Sequence, residues 1–153
     1  MSDAFQDKIP GIHCFGCGPD NPEGLRIKSF WCSENASVCR FTPRKTHIGP
    51  PGVVNGGILA TVIDCHSVCT AMADAYRRAG RAVGEGDFLP YVTGTMTIKY
   101  LTPTPIEAAL EARAVIDDVT PRKTTLTCTV TADGVVTAEA VVIAISIPVE
   151  RIR

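Results

Sequence analysis

The sequence predicts an α+β fold in which one long helix packs against an antiparallel sheet of about six strands. Two observations support this prediction. From about Gly56 to Arg78 the chain contains no proline and repeats apolar residues at helical spacing. The segments on both sides of the helix alternate apolar and polar residues, as strands do when one face of a sheet is buried. The predicted element order is β-β-α-β-β-β-β.

The chain begins with an irregular arm and a hairpin. Residues 1–24 are rich in glycine and proline and predict tight turns rather than a regular element. Residues 25–31 (LRIKSFW) and 36–41 (ASVCRF) alternate in polarity and predict two paired strands. A loop rich in proline and glycine leads from this hairpin into the helix.

The helix is expected to end with Arg77 and Arg78 in its last turn and Gly80 just past it. Three segments then predict strands, the last of them divided into two by the Asp133-Gly134 hairpin signal: residues 92–101, 109–119 and 124–147.

Length and composition describe a single domain over residues 1–153. With 45% hydrophobic and 20% charged residues, the chain is long enough for one core and too short for two. A formal net charge of −1 gives no electrostatic reason to bind nucleic acid or an anionic membrane. We therefore expect a small-molecule partner, and neither a nucleic-acid nor a membrane partner.

The amino-terminal residues hold no long apolar block, so we predict no signal peptide, no membrane-spanning helix and a cytoplasmic location. An odd number of cysteines, spread through the predicted strands and helix, fits reduced thiols better than a disulfide framework. Most are expected to be small core residues. The seven cysteines stand at positions 14, 17, 32, 39, 65, 69 and 128.

Asp64 is a carboxylate that lies away from the apolar face of the helix. The sheet is expected to cover Ile58, Leu59, Val62, Cys69, Ala73 and Tyr76. Asp64 points nearly the opposite way, on a stripe of small residues: Gly57, Ala60, Thr61, Ser67, Val68 and Ala71. Such a stripe leaves room for a substrate or a second chain to approach closely. Asp64 is therefore a candidate nucleophile or general base.

The helix N-terminus is a candidate oxyanion site. Backbone N–H groups at Gly56 and Gly57 have no partner within the helix, and the helix dipole favours negative charge there. Two interpretations of the glycines stay open, because they also permit a tight turn. Asn55 is a favoured N-cap residue and is alternatively placed to contact a substrate.

Gly56 and Asp64 are about 12 Å apart along the helix axis, too far to act together on one carbonyl group. In a twofold dimer with antiparallel helices, Gly56 of one subunit can face Asp64 of the other. The spacing therefore predicts a homo-oligomer with its site at the subunit interface.

Asn55-Gly56-Gly57, Asp64 and the segment GTMTIKYLTPTP (94–105) together resemble the hot-dog thioesterase superfamily, particularly its phenylacetyl-CoA thioesterase-like (PaaI-like) branch. The family pattern is His-Gly-Gly with an acid seven residues after the second glycine. The segment HCFGCGPDNPEGLRI (13–27) is similar to the amino-terminal signature of many such proteins. The resemblance covers residues from about 12 to 148.

The resemblance implies a sheet wrapped around a central helix, a dimer or dimer of dimers, and metal-free hydrolysis of acyl-CoA or acyl-carrier thioesters. It implies that Gly56 donates its N–H to the thioester oxygen while Asp64 of the opposite subunit acts as nucleophile or general base. It also implies that the Thr93 hydroxyl positions water or the carboxylate. It further implies that Asn55 and Gly57 contact the substrate. No cofactor is expected beyond the coenzyme A of the substrate.

The chain departs from the family pattern at Asn55, where the family most often has histidine. An amide can hydrogen-bond a substrate but cannot exchange protons near neutral pH. Two alternatives therefore stay open: a non-catalytic acyl-CoA sensor, and a hot-dog enoyl-CoA hydratase. The hydratase would need a histidine paired with an acid.

Other polar and aromatic residues have weaker functional interpretations. His66 is expected to face the sheet as a neutral core residue rather than pair with Asp64. Cys14 and Cys17 have metal-ligand spacing, but with no second Cys or His pair at suitable spacing we predict no metal. His47 is expected to be exposed. Arg122 and Lys123 are candidates for pairing with the phosphates of coenzyme A. The candidates for the wall of an acyl or aryl pocket are Phe15, Phe88, Leu89 and Tyr91.

Overall fold

A six-stranded antiparallel sheet curves around one central helix in the computed structural model, which describes residues 3–152. The elements are β1 (Ser29–Trp31), β2 (Ala36–Phe41), α1 (Gly56–Arg78), β3 (Tyr91–Tyr100), β4 (Leu110–Val119), β5 (Lys123–Ala132) and β6 (Val135–Ser146). Three single-turn 3-10 helices lie at Phe5–Lys8, Lys45–His47 and Val149–Arg151. The predicted α+β class and element order are confirmed.

The strand order β1-β2-β4-β5-β6-β3 leaves β1 and β3 as the edges of the sheet. Alternate residues of β4, β5 and β6 point inward and are buried against α1, where they form most of the core. Strand β3 pairs with β6 on one side and offers its other side as a ten-residue free edge within residues 3–152. An edge of this length is suited to pairing with another strand.

The helix and the last hairpin match the predictions. Helix α1 has the predicted bounds. The turn between β5 and β6 consists of Asp133 and Gly134, with φ of 49° and 78°. Two consecutive residues with positive φ form the type I′ turn that fits the twist of a hairpin.

The first predicted strand is too long. Arg26 has a φ of 56°, a left-handed conformation that interrupts an extended strand. The amides of Leu25 and Ile27 instead donate to the carbonyls of Phe15 and Gly16 in the arm, at 2.8 and 3.0 Å. Strand β1 therefore begins only at Ser29.

The N-terminal arm is irregular, as predicted, but it is packed into the domain. Its 3-10 helix places Phe5 against Trp31, with ring centroids 5.0 Å apart. Gln6 is fully buried; its side chain donates to the hydroxyl of Ser29 and accepts from the amide of the same residue, both at 2.9 Å. The arm thus belongs to the core rather than extending from it.

His66 is a buried core residue, as predicted. Its Nδ1 lies 2.8 Å from the Ser29 hydroxyl, and its Nε2 lies 3.3 Å from both the hydroxyl and the carbonyl of Ser37. The Ser37 hydroxyl in turn contacts the hydroxyl of Thr70, 2.5 Å away. This polar chain joins β1, α1 and β2, and burial lowers the pKa of His66 from 6.5 to about 4.

We expect the free energy of unfolding to fall as the pH is lowered from about 6.5 to about 4. Between these pH values His66 takes up a proton in the unfolded chain but stays neutral in the folded chain, which favours unfolding. Above pH 6.5 His66 is neutral in both states, so the folded state has its full stability there. A shift of this size corresponds to about 3 kcal/mol. Urea unfolding at a series of pH values measures it. His66→Gln cannot gain the proton, and an equally steep dependence in that variant would contradict the assignment to His66.

Helix α1 is long and apolar enough to span a membrane by length and composition alone, with a mean hydropathy of 1.3 in its most apolar window. In the structure 61% of that window is buried inside the protein. The apolar character of the helix is thus accounted for by its position within the sheet.

Candidate active site

Asp64 lies midway along α1, partly buried, and faces the edge strand β3. The hydroxyl of Thr93 donates a hydrogen bond to Asp64 Oδ1. The structure therefore brings together two of the residues selected from the sequence, and the hydroxyl holds the carboxylate in one orientation. The small-residue stripe around Asp64 is open only in part, because Ser67 and Ala71 are fully buried.

A β-bulge in β3 directs Thr93 toward the helix. The register of β3 against β6 shifts between Thr93 and Thr95, leaving Gly94 as the extra residue. A Cβ at Gly94 would lie 2.2 Å from Cδ1 of Ile145 and 3.1 Å from the carbonyl oxygen of Ile143. A side chain at this position would force the Ile145 side chain to move and would crowd the Ile143 carbonyl. The sequence analysis did not identify this role.

Asp64 and Thr93 line an open cavity of about 970 Å³ between α1, β3 and the N-terminal arm. Most of its wall is apolar, contributed by residues that include Ile9, Ile12, Val68, Met72, Phe88 and Tyr91. Cavities of this size and character accommodate small-molecule ligands. The carboxylate is thus placed at the wall of an apolar chamber.

The pocket-wall predictions are confirmed for Phe88 and Tyr91. Phe15 is 51% exposed and does not line the cavity. Leu89 packs against the core instead of lining the cavity.

The helix N-terminus presents one free backbone donor. Asn55 is the N-cap, as predicted, and its Oδ1 accepts from the amides of Gly57 and Ile58 at 2.8 and 3.3 Å. Within residues 3–152 no atom accepts from the amide of Gly56. The Tyr100 hydroxyl donates to the Gly56 carbonyl at 2.8 Å, which fixes the end of β3 to the start of the helix.

None of Asn55, Gly56 and Gly57 lines the cavity that contains Asp64 and Thr93. A single chain therefore assembles the acid and the hydroxyl but leaves the N–H donor elsewhere on its surface. This separation agrees with the spacing estimated from the sequence.

The prediction that His47 is exposed is wrong. His47 is buried and stacks on Phe41, with ring centroids 5.8 Å apart. Its Nδ1 lies 3.0 Å from the backbone nitrogen of Arg44 and its Nε2 lies 3.2 Å from Arg44 Nε, and the neutral ring accepts a hydrogen bond at one of these two nitrogens. Burial and the neighbouring guanidinium lower the pKa of His47. These contacts make it a structural residue of the loop before α1.

Four cysteines meet at one side of the cavity. The Sγ atoms of Cys14 and Cys65 are 3.7 Å apart, and those of Cys17 and Cys69 are 3.8 Å apart. The expectation that no second pair accompanies Cys14 and Cys17 is therefore wrong. The available signal was the spacing of Cys65 and Cys69, four residues apart and so adjacent on one helix face.

Crowding shifts the acidity of these thiols in opposite directions. Hydrogen bonds from the surrounding thiols lower the pKa of Cys17. The contacts with Cys14 and Cys17, together with burial, raise the pKa of Cys65, and the contact with Cys17 and burial raise that of Cys69. Within the cluster a negative charge is therefore more favourable on Cys17 than on Cys65 or Cys69. All seven cysteines are free thiols in the structure.

No family model matches the sequence, and no curated protein matches it at a significant level. Solved structures do match. A thioesterase superfamily protein from Shewanella loihica is 29% identical with a TM-score of 0.68, over 90% of this chain and 96% of that chain. The PaaI protein of the E. coli phenylacetic acid degradation operon is 17% identical with a TM-score of 0.65, over 81% of each chain.

Thioesterase superfamily member 2 from Mus musculus is 19% identical with a TM-score of 0.62, over 79% of this chain and 83% of that chain. The six-stranded antiparallel sheet around one central helix is the arrangement that these structures share with this chain. Fold and neighbours together confirm the hot-dog fold predicted from the sequence, and the chain is similar to proteins of the thioesterase superfamily.

Proposed function

We propose that the protein is an acyl-CoA thioesterase that hydrolyses an acyl-CoA, or an acyl-carrier thioester, to the free acid and the thiol. The observation that carries the proposal is the Asp64–Thr93 pair at the wall of a largely apolar cavity of about 970 Å³. The apolar wall suits an acyl or aryl group, and the carboxylate of Asp64 lies at that wall. The similarity to thioesterase superfamily proteins supports the same reaction class.

In this proposal Asp64 acts at the thioester carbonyl carbon. It either attacks that carbon directly, giving an anhydride that water then hydrolyses, or takes a proton from a water molecule that attacks. In both routes the C–S bond breaks and the sulfur leaves as the thiol of coenzyme A after gaining a proton. Thr93 holds the carboxylate so that one oxygen stays directed at the substrate.

The oxyanion donor in this proposal is the amide of Gly56 of the partner subunit. That amide has no acceptor among residues 3–152 and lies at the positive end of the helix dipole. The free edge of β3, which holds Thr93 at one end and Tyr100 at the other, is a surface on which a second subunit can pair. A twofold axis there would create two identical sites.

Two arginines support coenzyme A as the carrier. Arg151 lines both the main cavity and a second cavity of about 490 Å³, which Arg122 also lines. Neither arginine takes part in an ion pair within residues 3–152. Guanidinium groups pair well with phosphates, so the nucleotide end of coenzyme A has partners next to the acyl chamber.

A hydrolysis screen tests the proposal. A panel of aliphatic and aromatic acyl-CoAs is incubated with the protein while a thiol reagent detects released coenzyme A. We expect turnover of at least one of them, in a protein that sizes as a dimer or tetramer in solution. Tight binding without thiol release would favour the sensor, and hydration of crotonyl-CoA would favour the hydratase. An active monomer would contradict the shared site.

A further inference from the structure

The cysteine cluster joins two sequence-distant pairs. Cys14 and Cys17 belong to a Cys-x-x-Cys-Gly turn in the N-terminal arm, whereas Cys65 and Cys69 lie one turn apart on α1. The Sγ atoms of Cys14, Cys17 and Cys65 all lie within 4.8 Å of one another, and Cys69 Sγ lies 3.8 Å from that of Cys17. Nothing in the proposed thioester chemistry uses these sulfurs.

Two sulfur–sulfur distances in the cluster are close to those between ligands of one metal ion. At 3.7 and 3.8 Å the pairs are far longer than the roughly 2.05 Å of a disulfide bond. Four thiolates about 2.3 Å from a tetrahedral zinc ion would be separated by about 3.8 Å. An iron–sulfur cluster places its iron atoms between the cysteines and needs a wider opening. The spacing of Cys14, Cys17 and Cys65 thus fits a single ion, and Cys69 lies beside Cys17 but outside this group of three sulfurs.

The arm is shaped to bring its two cysteines onto the helix. A Cβ at Gly16 would lie 2.2 Å from Cys65 Sγ, and one at Gly18 would lie 2.4 Å from the Cys14 amide nitrogen. The Gly18 amide donates to the Cys14 carbonyl at 2.8 Å and closes the turn. Gly16 therefore permits the close approach of the arm to α1, and Gly18 permits the tight turn within the arm. Three of the four sulfurs belong to buried residues, and only Cys14 is exposed.

We propose that Cys14, Cys17, Cys65 and Cys69 bind one zinc(II) ion in a tetrahedral four-sulfur site. Four thiolate ligands leave no open position, so the ion is structural rather than catalytic. It fixes the arm to α1 at the side of the cavity. One of its ligands, Cys65, directly follows Asp64 in the chain. The proposal is independent of thioesterase activity, since it concerns how the cavity wall is held.

The test measures metal in the purified full-length chain. The protein is prepared under reducing conditions without a histidine tag, and its metals are quantified by mass spectrometry. We expect about one zinc per chain in the wild type, and release of that zinc on titration with an organomercurial in the presence of a colorimetric chelator. Cobalt(II) substitution should give thiolate-to-cobalt charge-transfer bands and the intense visible bands of a tetrahedral site.

Variants assign the ligands. Cys14→Ser and Cys65→Ser should each lose the zinc, and Cys69→Ser should hold it more weakly than the wild type. Cys32→Ser is the matched control, because Cys32 is exposed and lies outside the cluster, and it should keep a full complement. Absence of metal from the wild type, iron or copper in place of zinc, a Cys14–Cys17 disulfide, or zinc retained in Cys14→Ser and Cys65→Ser would each overturn the proposal. The organomercurial and cobalt measurements use the wild-type chain and do not depend on the folding of a variant.

Discussion

Asp64→Asn is expected to lower kcat for acyl-CoA hydrolysis by about a hundred- to ten-thousandfold, the range attributed to a positioned acid–base group. The amide has the size of the carboxylate and can still contact the hydroxyl of Thr93, but it neither attacks a thioester nor accepts a proton from water. KM should change far less than kcat, because the apolar wall that holds the acyl group is intact. Steady-state kinetics on the best substrate of the screen measures both constants.

A second Thr–Asp pair provides the control. Thr127 donates to Asp117 Oδ2 at 2.6 Å on the exposed surface, and neither residue lines the cavity. Asp117→Asn removes the same charge and alters the same kind of hydrogen bond, so its kcat should stay close to that of the wild type. Equal losses in the two variants would indicate a general effect of charge or folding. Full activity in Asp64→Asn would exclude the proposed role of the carboxylate.

The helix and the last hairpin were predictable because their signals are local. Asn55 supplies the cap and Gly80 the stop, and the Asp133–Gly134 turn determines its own backbone geometry. The start of β1 was not predictable in this way. Its alternating pattern is that of a strand. Arg26 nevertheless adopts a left-handed conformation, because the amides of Leu25 and Ile27 on either side of it donate hydrogen bonds to carbonyls of the arm.

Of the candidate site, the pair of Asp64 and Thr93 could be predicted from the sequence. Asp64 stood out as a lone acid among small residues, and the resemblance indicated Thr93, which the structure places beside it. The bulge at Gly94 depends on contacts between distant segments, so no local pattern reveals it. The spacing of Cys65 and Cys69 indicated a pair on the helix, but its meeting with Cys14 and Cys17 also depends on such contacts. His47 was misassigned for the same reason: a loop position gave no indication that Phe41 and Arg44 enclose its ring.

Gly56→Pro is expected to lower kcat by about a hundred- to a thousandfold, the usual effect of removing one oxyanion donor. Proline is favoured at the first position of a helix, and Asn55, with φ of −57° and ψ of 132°, already has the extended conformation required before proline. No hydrogen bond within residues 3–152 is lost, and an added Cβ would lie an ordinary 3.5 Å from the Tyr100 ring. Gly56→Ala adds the same Cβ, keeps the N–H, and should retain most of the rate.

Mixing the two inactive variants decides whether the site is shared between subunits. In a heterodimer of Asp64→Asn and Gly56→Pro chains, one site combines both substitutions, whereas the other receives the intact Asp64 of one chain and the intact Gly56 of its mate. Random exchange of subunits should therefore restore activity at about a quarter of the sites. If each chain contained a complete site of its own, every site in the mixture would carry one substitution and no activity would return. Recovery after co-refolding, compared with each variant refolded alone, distinguishes the two arrangements because only a carboxylate and an N–H donor that act across the interface can complement each other.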